Sequence, residues 1–418
     1  MKRTFSGLWH HPDFMKLWIG QTISEFGSRI TRDGIPLIAV ITLAATPAEM
    51  GLLTAFASIP VLLFGLIAGV WIDRLRRRPI MIAMDIGRAL LLLAIPLAAL
   101  TGQLRIEMLY IIVALIGVMG LILETAYRAL LPTLVSRDQL LEGNSKLSTT
   151  DALAEIGGPS IAGLLIQWIS APLAVFFDAI SFAFSSVSFA LIRAPEPPPK
   201  PRSARSSALR EALEGLETIA RDPILRTLII GVSLRSFFGS FFAALYSLYA
   251  IRELDVSPAL LGIVISAGGI GALIGAVTAG RVQSRLGLGR TLTWTLAVGA
   301  VANLLIPLAA LFGSPLAAAF VLIAAQIVGD AAMLVYGINE ISLRQTIVPD
   351  RLLGRTNASF GFLEQGIAPF GAIVAGALAS VIGAQATLGI AVAGFLITAL
   401  WMLRSPLRHL REYALVSM

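Results

Sequence analysis

The chain has 418 residues, of which 56% are hydrophobic and only 14% are charged, whereas soluble domains carry about 25% charged residues. This composition excludes a water-soluble protein, and the recurring apolar stretches of about 20 residues indicate a polytopic membrane protein. The net charge of +7 does not indicate nucleic-acid binding, because basic residues of membrane proteins gather in cytoplasmic loops.

Twelve transmembrane α-helices are predicted along the chain. Backbone polar groups need internal partners in lipid, and continuous apolar runs such as residues 51–72 exclude the alternating pattern of barrel strands. No short apolar core with a cleavage site precedes the first span, so we expect no removable signal peptide. The spans are placed at residues 16–44, 51–72, 80–101, 106–130, 147–169, 172–193, 224–250, 259–281, 291–312, 316–338, 357–381 and 385–403.

The middle of the first span carries four charged residues, Glu25, Arg29, Arg32 and Asp33. A charge at the centre of a span costs at least about 2.5 kcal/mol on insertion scales and usually faces protein or water. Two pairs of opposite charge are four residues apart, so they lie on neighbouring turns, and we predict that this ladder lines the central cavity. Whether Glu25 couples transport to protons or only satisfies its own burial stays open.

Between spans 2 and 3 lies a glycine followed by an acidic residue and a basic run, namely Gly69, Asp73, Arg74, Arg77 and Arg78. This pattern resembles the loop 2–3 motif of the major facilitator superfamily. The resemblance implies a gate in which the glycine lets helices approach, the aspartate caps or bridges to a neighbouring helix, and the basic residues anchor at the interface. A purely topogenic basic cluster is the alternative.

Three further groups of residues are candidates for the gate and the cavity. Asp85 with Arg88, and Glu124 with Arg128, are interpreted as gate bridges between helices. A helix 5 segment loosely resembles an antiporter motif, and its role is either close packing or gating. That segment consists of Gly158, Pro159 and Gly163.

Acidic and aromatic residues elsewhere add candidates for the cavity. Asp178 on span 6 is a cavity or coupling candidate, and Glu155, Asp330 and Glu364 are second-rank acids. Arg235 on span 7 lies among aromatic residues that offer stacking surfaces to an amphipathic substrate; these are Phe237, Phe238, Phe241, Phe242, Tyr246 and Tyr249.

The chain divides into two halves around a proline-rich linker. Residues 1–193 are predicted as one six-helix bundle, residues 194–222 as a cytoplasmic linker with an amphipathic helix, and residues 223–418 as the second bundle. Short matches such as Phe26-Gly27-Ser28 with Phe238-Gly239-Ser240 recur at one offset. The fold class is therefore all-α integral membrane, with two pseudo-symmetric six-helix bundles.

With twelve spans, the basic loops fall on one face of the membrane. The opposite loops carry only Arg105 and Arg252 as basic residues. The positive-inside rule makes the basic face cytoplasmic and predicts a multi-pass protein of the cell (inner) membrane with both termini in the cytoplasm.

Further matches extend the resemblance over most of the chain, to the branch of drug and siderophore exporters. They include residues 14–27, 177–182, 348–355 and 369–376. The resemblance implies efflux of an amphipathic small molecule by alternating access, as an antiporter that works as a monomer in membrane lipid, needs no cofactor and draws on a proton gradient. It associates the chain with drug resistance.

Two other classes of function remain as alternatives. A nutrient importer or a lipid flippase would have the same fold. A membrane sensor or intramembrane enzyme is disfavoured, since the sequence contains no Gly-rich phosphate loop, no metal-ligand cluster, no cysteine and only the terminal histidines His10, His11 and His409. We therefore assign no catalytic or metal-binding residue.

Overall fold

The computed structural model describes residues 7–72, 75–196, 208–405 and 407, and within 66–72 and 208–213 it describes the backbone alone. These residues form thirteen α-helices and no strand. The helices are α1 (Pro12–Leu37), α2 (Pro47–Ile72), α3 (Arg77–Leu100), α4 (Ile106–Leu134), α5 (Leu140–Ile169), α6 (Ala171–Ala190), α7 (Ala208–Arg221), α8 (Pro223–Arg252), α9 (Pro258–Leu286), α10 (Leu288–Leu308), α11 (Pro315–Ile347), α12 (Asp350–Ile382) and α13 (Ala384–Leu403).

The membrane-spanning helices agree with the prediction from the sequence. Within the described residues, 11 helices are long and apolar enough to cross a membrane. Helix α1 has 26 residues but is not one of the 11, because it contains four charged residues near its centre. Helix α7 has only 14 residues. The predicted all-α membrane fold is confirmed, and its twelve spans correspond to the 11 apolar helices together with α1.

Local sequence explains where the helices begin and end. Proline stands in the first turn of several of them, and Asp222 caps α8 by accepting hydrogen bonds from the backbone N–H groups of Ile224 and Leu225 at 2.7 and 3.0 Å. Gly287 alone joins α9 to α10, and Gly383 joins α12 to α13. Their φ angles are +79° and +84°, a conformation in which a side chain would be strained. Such short connections keep neighbouring helices antiparallel.

The described chain separates into two compact units, of which the first contains residues 1–44 and 63–205. In this unit α1 packs against α5 and α6, and α3 packs against α4 and α6. A buried apolar core of this unit includes Phe14, Leu17, Met81 and Phe189.

The second unit contains residues 45–62 and 206–418. It repeats the contacts of the first unit, since α8 packs against α12 and α13, and α10 packs against α11 and α13. The first part of α2 belongs here because Gly51 lies against the carbonyl of Ala372 and against Gly376, so that two helices without side chains at this point approach closely. The bundle boundaries at 193 and 223 stay a prediction.

The predicted amphipathic helix forms as α7, and it packs against α8 and α12. Gly215 lies against Ser359 and the carbonyl of Arg355 on α12, and Glu214 pairs with the Arg355 side chain. Ile219 is buried in an apolar core with Leu225 and Leu228 of α8. The predicted proline run and residues 200–207 lie outside the described chain, apart from Pro195.

Candidate functional site

The charged residues of α1 form ion pairs with one another and with Glu155 of α5, and we call this group the α1–α5 cluster. Arg29 pairs with Glu25 one turn away at 2.9 Å and also with Glu155 on α5. Arg32 reaches Glu155 at 3.2 Å, and its Nε lies 3.9 Å from Asp33. The predicted Glu25–Arg29 pair therefore forms, whereas Asp33 lies nearest Arg32, and the second partner of Arg29 is Glu155, a second-rank acid from another helix.

The α1–α5 cluster contains one more carboxylate than it has arginines. Glu25, Asp33 and Glu155 face Arg29 and Arg32. The buried Oδ2 atom of Asp33 accepts no hydrogen bond from the described residues. Since an unpaired charge in a low-dielectric site is costly, a proton on any one of the three carboxylates would balance the charges of the cluster. The side chains of Arg32 and Glu155 are 49% and 45% exposed, so the first unit does not enclose the cluster completely.

Glycine on α5 makes this cluster possible. A Cβ atom at Gly158 would lie 2.5 Å from Cβ of Arg29, which is closer than two carbon atoms can approach. The missing side chain lets α1 lie close enough to α5 for Arg29 to reach Glu155 one turn before it. Pro159 and Gly163 are buried in the same helix. Close packing at Gly158 of the helix 5 motif therefore permits the ion pair between Arg29 and Glu155.

Substituting Gly158 by alanine should separate α1 from α5. We expect a loss of about 1–3 kcal/mol in the free energy of unfolding, as for overpacked sites in cores, measured by unfolding in mild detergent. Gly157→Ala is the matched control, because a Cβ there would lie 3.6 Å from Phe26, an ordinary contact. Equal losses in the two variants would contradict this role of Gly158.

A second polar cluster, the α3–α6 cluster, is almost completely buried in the same unit. Asp85 and Asp178 are 0% exposed and Arg88 is 9% exposed. Arg88 lies 3.6 Å from Asp85, donates to Ser28 of α1 at 3.3 Å, and stacks 3.8 Å above the ring centroid of Phe182. Arg88 is thus the ion-pair partner of Asp85, and the second buried carboxylate, Asp178, interacts with it through its charge.

Asp178 is held by hydroxyl donors and by a close approach of α1. Thr31 of α1 donates to one of its oxygens, and Ser181 donates to the other at 2.8 Å. Gly27 lies directly against Asp178 and Ser181, so α1 and α6 meet without an intervening side chain. The repeated Phe-Gly-Ser tripeptide therefore packs α1 on α6, and its copy places Gly239 of α8 nearest Phe395 of α13.

The second unit contains an ion pair between the corresponding two helices, at other positions along them. Arg235 on α8 pairs with Glu364 on α12. In each half an arginine of the first span thus meets a glutamate of the fifth, Arg29 with Glu155 and Arg235 with Glu364. All four residues are candidates from the sequence, but their pairing was not predicted, because the partners are more than 120 residues apart.

The aromatic residues of α8 lie largely inside their own unit. Phe241 and Tyr249 are buried, Phe242 stacks on Phe395 with ring centroids 5.8 Å apart, and Phe238 fills the space over Gly394. These contacts account for the aromatic run by packing between α8 and α13.

The gate motif is described only in part. Asp73 and Arg74 lie outside the described residues, and of Gly69 only its place in the backbone of α2 is described. At the start of α3 the backbone N–H groups of Arg77 and Arg78 donate to the Glu196 carboxylate at 2.7 and 2.8 Å. This cap was not predicted, because Glu196 follows α6 and no local spacing links it to α3.

The two acid–arginine pairs that were interpreted as bridges between helices are pairs within one helix. Asp85 and Arg88 lie three residues apart on α3. Glu124 and Arg128 lie four apart on α4, at 2.8 Å, with side chains 56% and 68% exposed. Residues at these spacings share one face of a helix, so their own helix already supplies the partner.

The chain was compared with known families, proteins and structures. The family model of the Major Facilitator Superfamily matches residues 17–369. The multidrug efflux pump Tap of Mycolicibacterium fortuitum is 28% identical, covering 85% of this chain and 87% of Tap. The enterobactin exporter EntS of Shigella dysenteriae is 24% identical, and the match covers 96% of this chain and 94% of EntS. The inward-facing crystal structure of a bacterial homologue of the iron transporter ferroportin has a TM-score of 0.74 at 19% identity. The match covers 94% of this chain and 98% of the ferroportin homologue.

Proposed function

Because the chain belongs to the Major Facilitator Superfamily, and is therefore a multi-pass membrane transporter and not an enzyme, we propose that it exports amphipathic small molecules, of the drug or siderophore class, in exchange for protons. Tap and EntS, which it resembles along most of its length, are an efflux pump and an exporter. Alternating access of the two halves would carry the substrate. No cofactor is needed in this scheme, and a monomer suffices.

The α1–α5 cluster is the observation that supports proton coupling. It has a surplus carboxylate, and it joins the first and fifth spans through Arg29. A carboxylate beside arginines changes its interactions when it takes up a proton, because it then no longer attracts the guanidinium group. Protonation of Glu25 would weaken its contact with Arg29. Arg29 would then pair with Glu155 alone. This exchange of partners is our proposed link between proton binding and movement of α1.

The direction and the substrate class are tested by an efflux screen. Cells that lack their own pumps would express the chain and be loaded with a panel of macrolides, other amphipathic drugs and catecholates. We expect reduced accumulation of at least one amphipathic compound. Collapse of the proton gradient should restore the accumulation of that compound. Substrate-dependent import would instead favour a nutrient importer, and movement of labelled lipid between leaflets would favour a flippase.

The orientation has its own prediction. We propose the inner membrane with both termini cytoplasmic, because basic residues such as Arg137, Lys146 and Arg290 fall on the same side as the termini. Tags placed after Met418 and within residues 200–207 should both resist a membrane-impermeant label in intact cells. Labelling of either tag from outside would overturn the twelve-span orientation, and a tag in the opposite loop at residues 313–315 is the positive control.

A further inference from the structure

A cavity of about 720 Å³ lies where α3 begins and the chain leaves α6. Its polar wall carries three arginines, Arg76, Arg78 and Arg193, and one acidic residue, Glu196. Its other wall is apolar and includes Ile82 and Ile86 of α3. The transport scheme proposed above makes no use of this cavity.

Two carboxylates hold the polar wall in place. Both oxygens of Glu196 accept backbone N–H groups at the start of α3. Asp13 does the same on the other side, accepting from the backbone N–H groups of Arg193 and Ala194 at 3.1 and 2.8 Å. The segment that contributes Arg193 is therefore tied to α1 and to α3, and the cavity is a built feature of the first unit.

The charge of the cavity favours an anion. Its lining has three guanidinium groups against one carboxylate, and that carboxylate is already engaged in capping α3. Arg78 donates to the carbonyl of Ala190, while Arg76 and Arg193 make no ion pair within the described part of the chain. Guanidinium groups bind phosphate oxygens in a bidentate manner.

The surroundings favour a lipid as the source of that anion. Exposed apolar side chains continue from the cavity along the outside of both helices, with Ile86 and Leu90 on α3, Val187 on α6 and Leu191 directly after α6, between 46% and 63% exposed. Such a surface faces hydrocarbon, and an acyl chain would lie along it. A basic pocket at the end of membrane helices, continued by an apolar groove, has the form of a phospholipid site.

We propose that this cavity binds the headgroup of an anionic glycerophospholipid, with its phosphate between Arg76 and Arg193 and its acyl chains along α3 and α6. The proposal is independent of export and proton coupling. The bound lipid would tie the start of α3 to the segment after α6.

The test measures the lipid retained by the purified full-length protein in native mass spectrometry. After reconstitution in vesicles of phosphatidylcholine and phosphatidylglycerol, the parent should retain phosphatidylglycerol, and R76Q/R193Q should retain about 30-fold less, as expected for two lost arginine contacts. R281Q/R285Q is the matched control, because it removes the same charge from the exposed end of α9 and should leave retention unchanged. Equal loss in both variants would overturn the proposal.

A second measurement uses only the parent protein, so it stands even if R76Q/R193Q fails to fold. The bound phosphatidylglycerol should be displaced by cardiolipin and should persist in excess phosphatidylethanolamine and in inorganic phosphate. Displacement by phosphatidylethanolamine would contradict selection for an anionic headgroup. Displacement by inorganic phosphate would identify a free-anion site in place of the lipid site.

Discussion

Replacing Glu25 by glutamine is expected to abolish efflux against a substrate gradient, while downhill movement of substrate partly survives. In the α1–α5 cluster Glu25 binds Arg29 at 2.9 Å, and its neutralisation leaves two carboxylates opposite two arginines. The balanced cluster then has no surplus site for a proton. Substrate flux in proteoliposomes, with and without an imposed pH gradient, measures the effect, and concentrative flux should fall to the level of protein-free vesicles.

Two comparisons make this result specific. Glu107→Gln changes an exposed glutamate in the first turn of α4 and should leave coupled flux intact. Glu155→Gln removes the other partner of Arg29 and should also impair coupling. If Glu25→Gln concentrates substrate as well as the parent does, Glu25 is a structural member of the ion-pair cluster and another acid carries the proton.

Replacing Arg88 by methionine is expected to have the largest effect on stability. Arg88 is the ion-pair partner of Asp85, and the charge of Asp178 also acts on it; both carboxylates are completely buried. Breaking a buried pair by removing one partner costs about 3–5 kcal/mol, a large part of the 5–15 kcal/mol that stabilises a typical fold. Unfolding by heat or denaturant in mild detergent measures the loss of free energy of unfolding.

The matched control uses another acid–arginine pair within one helix. Arg128→Met removes the exposed partner of Glu124 and should cost about 0–1 kcal/mol, as exposed pairs do. Adding Asp85→Leu to Arg88→Met should recover part of the loss, because apolar residues often replace a buried ion pair without penalty. A loss no greater for Arg88→Met than for Arg128→Met would show that the α3–α6 cluster does not need its arginine.

The candidate sites show how far residue types and spacing lead. Glu25 and Arg29 lie one turn apart, so their pairing follows from helix geometry alone. Glu155 was only a second-rank acid, because its rotational position on α5 is unknown without the packing of α1 on α5. Arg235 was expected among aromatic residues, yet Glu364 from α12 pairs with it. A partner more than 100 residues away leaves no periodic signal.

The sequence by itself determined the all-α membrane fold, twelve spans and the family, since these depend on apolar length, on the absence of barrel alternation and on local motifs. Those are properties of segments of about 20 residues. Only the tertiary structure decided which charges meet. Gly158 brings Arg29 to Glu155, Gly27 brings α1 to Asp178, and Glu196 caps α3 from beyond α6. These contacts depend on how closely two helices approach and how they are rotated, and those quantities follow from the packing of the whole bundle.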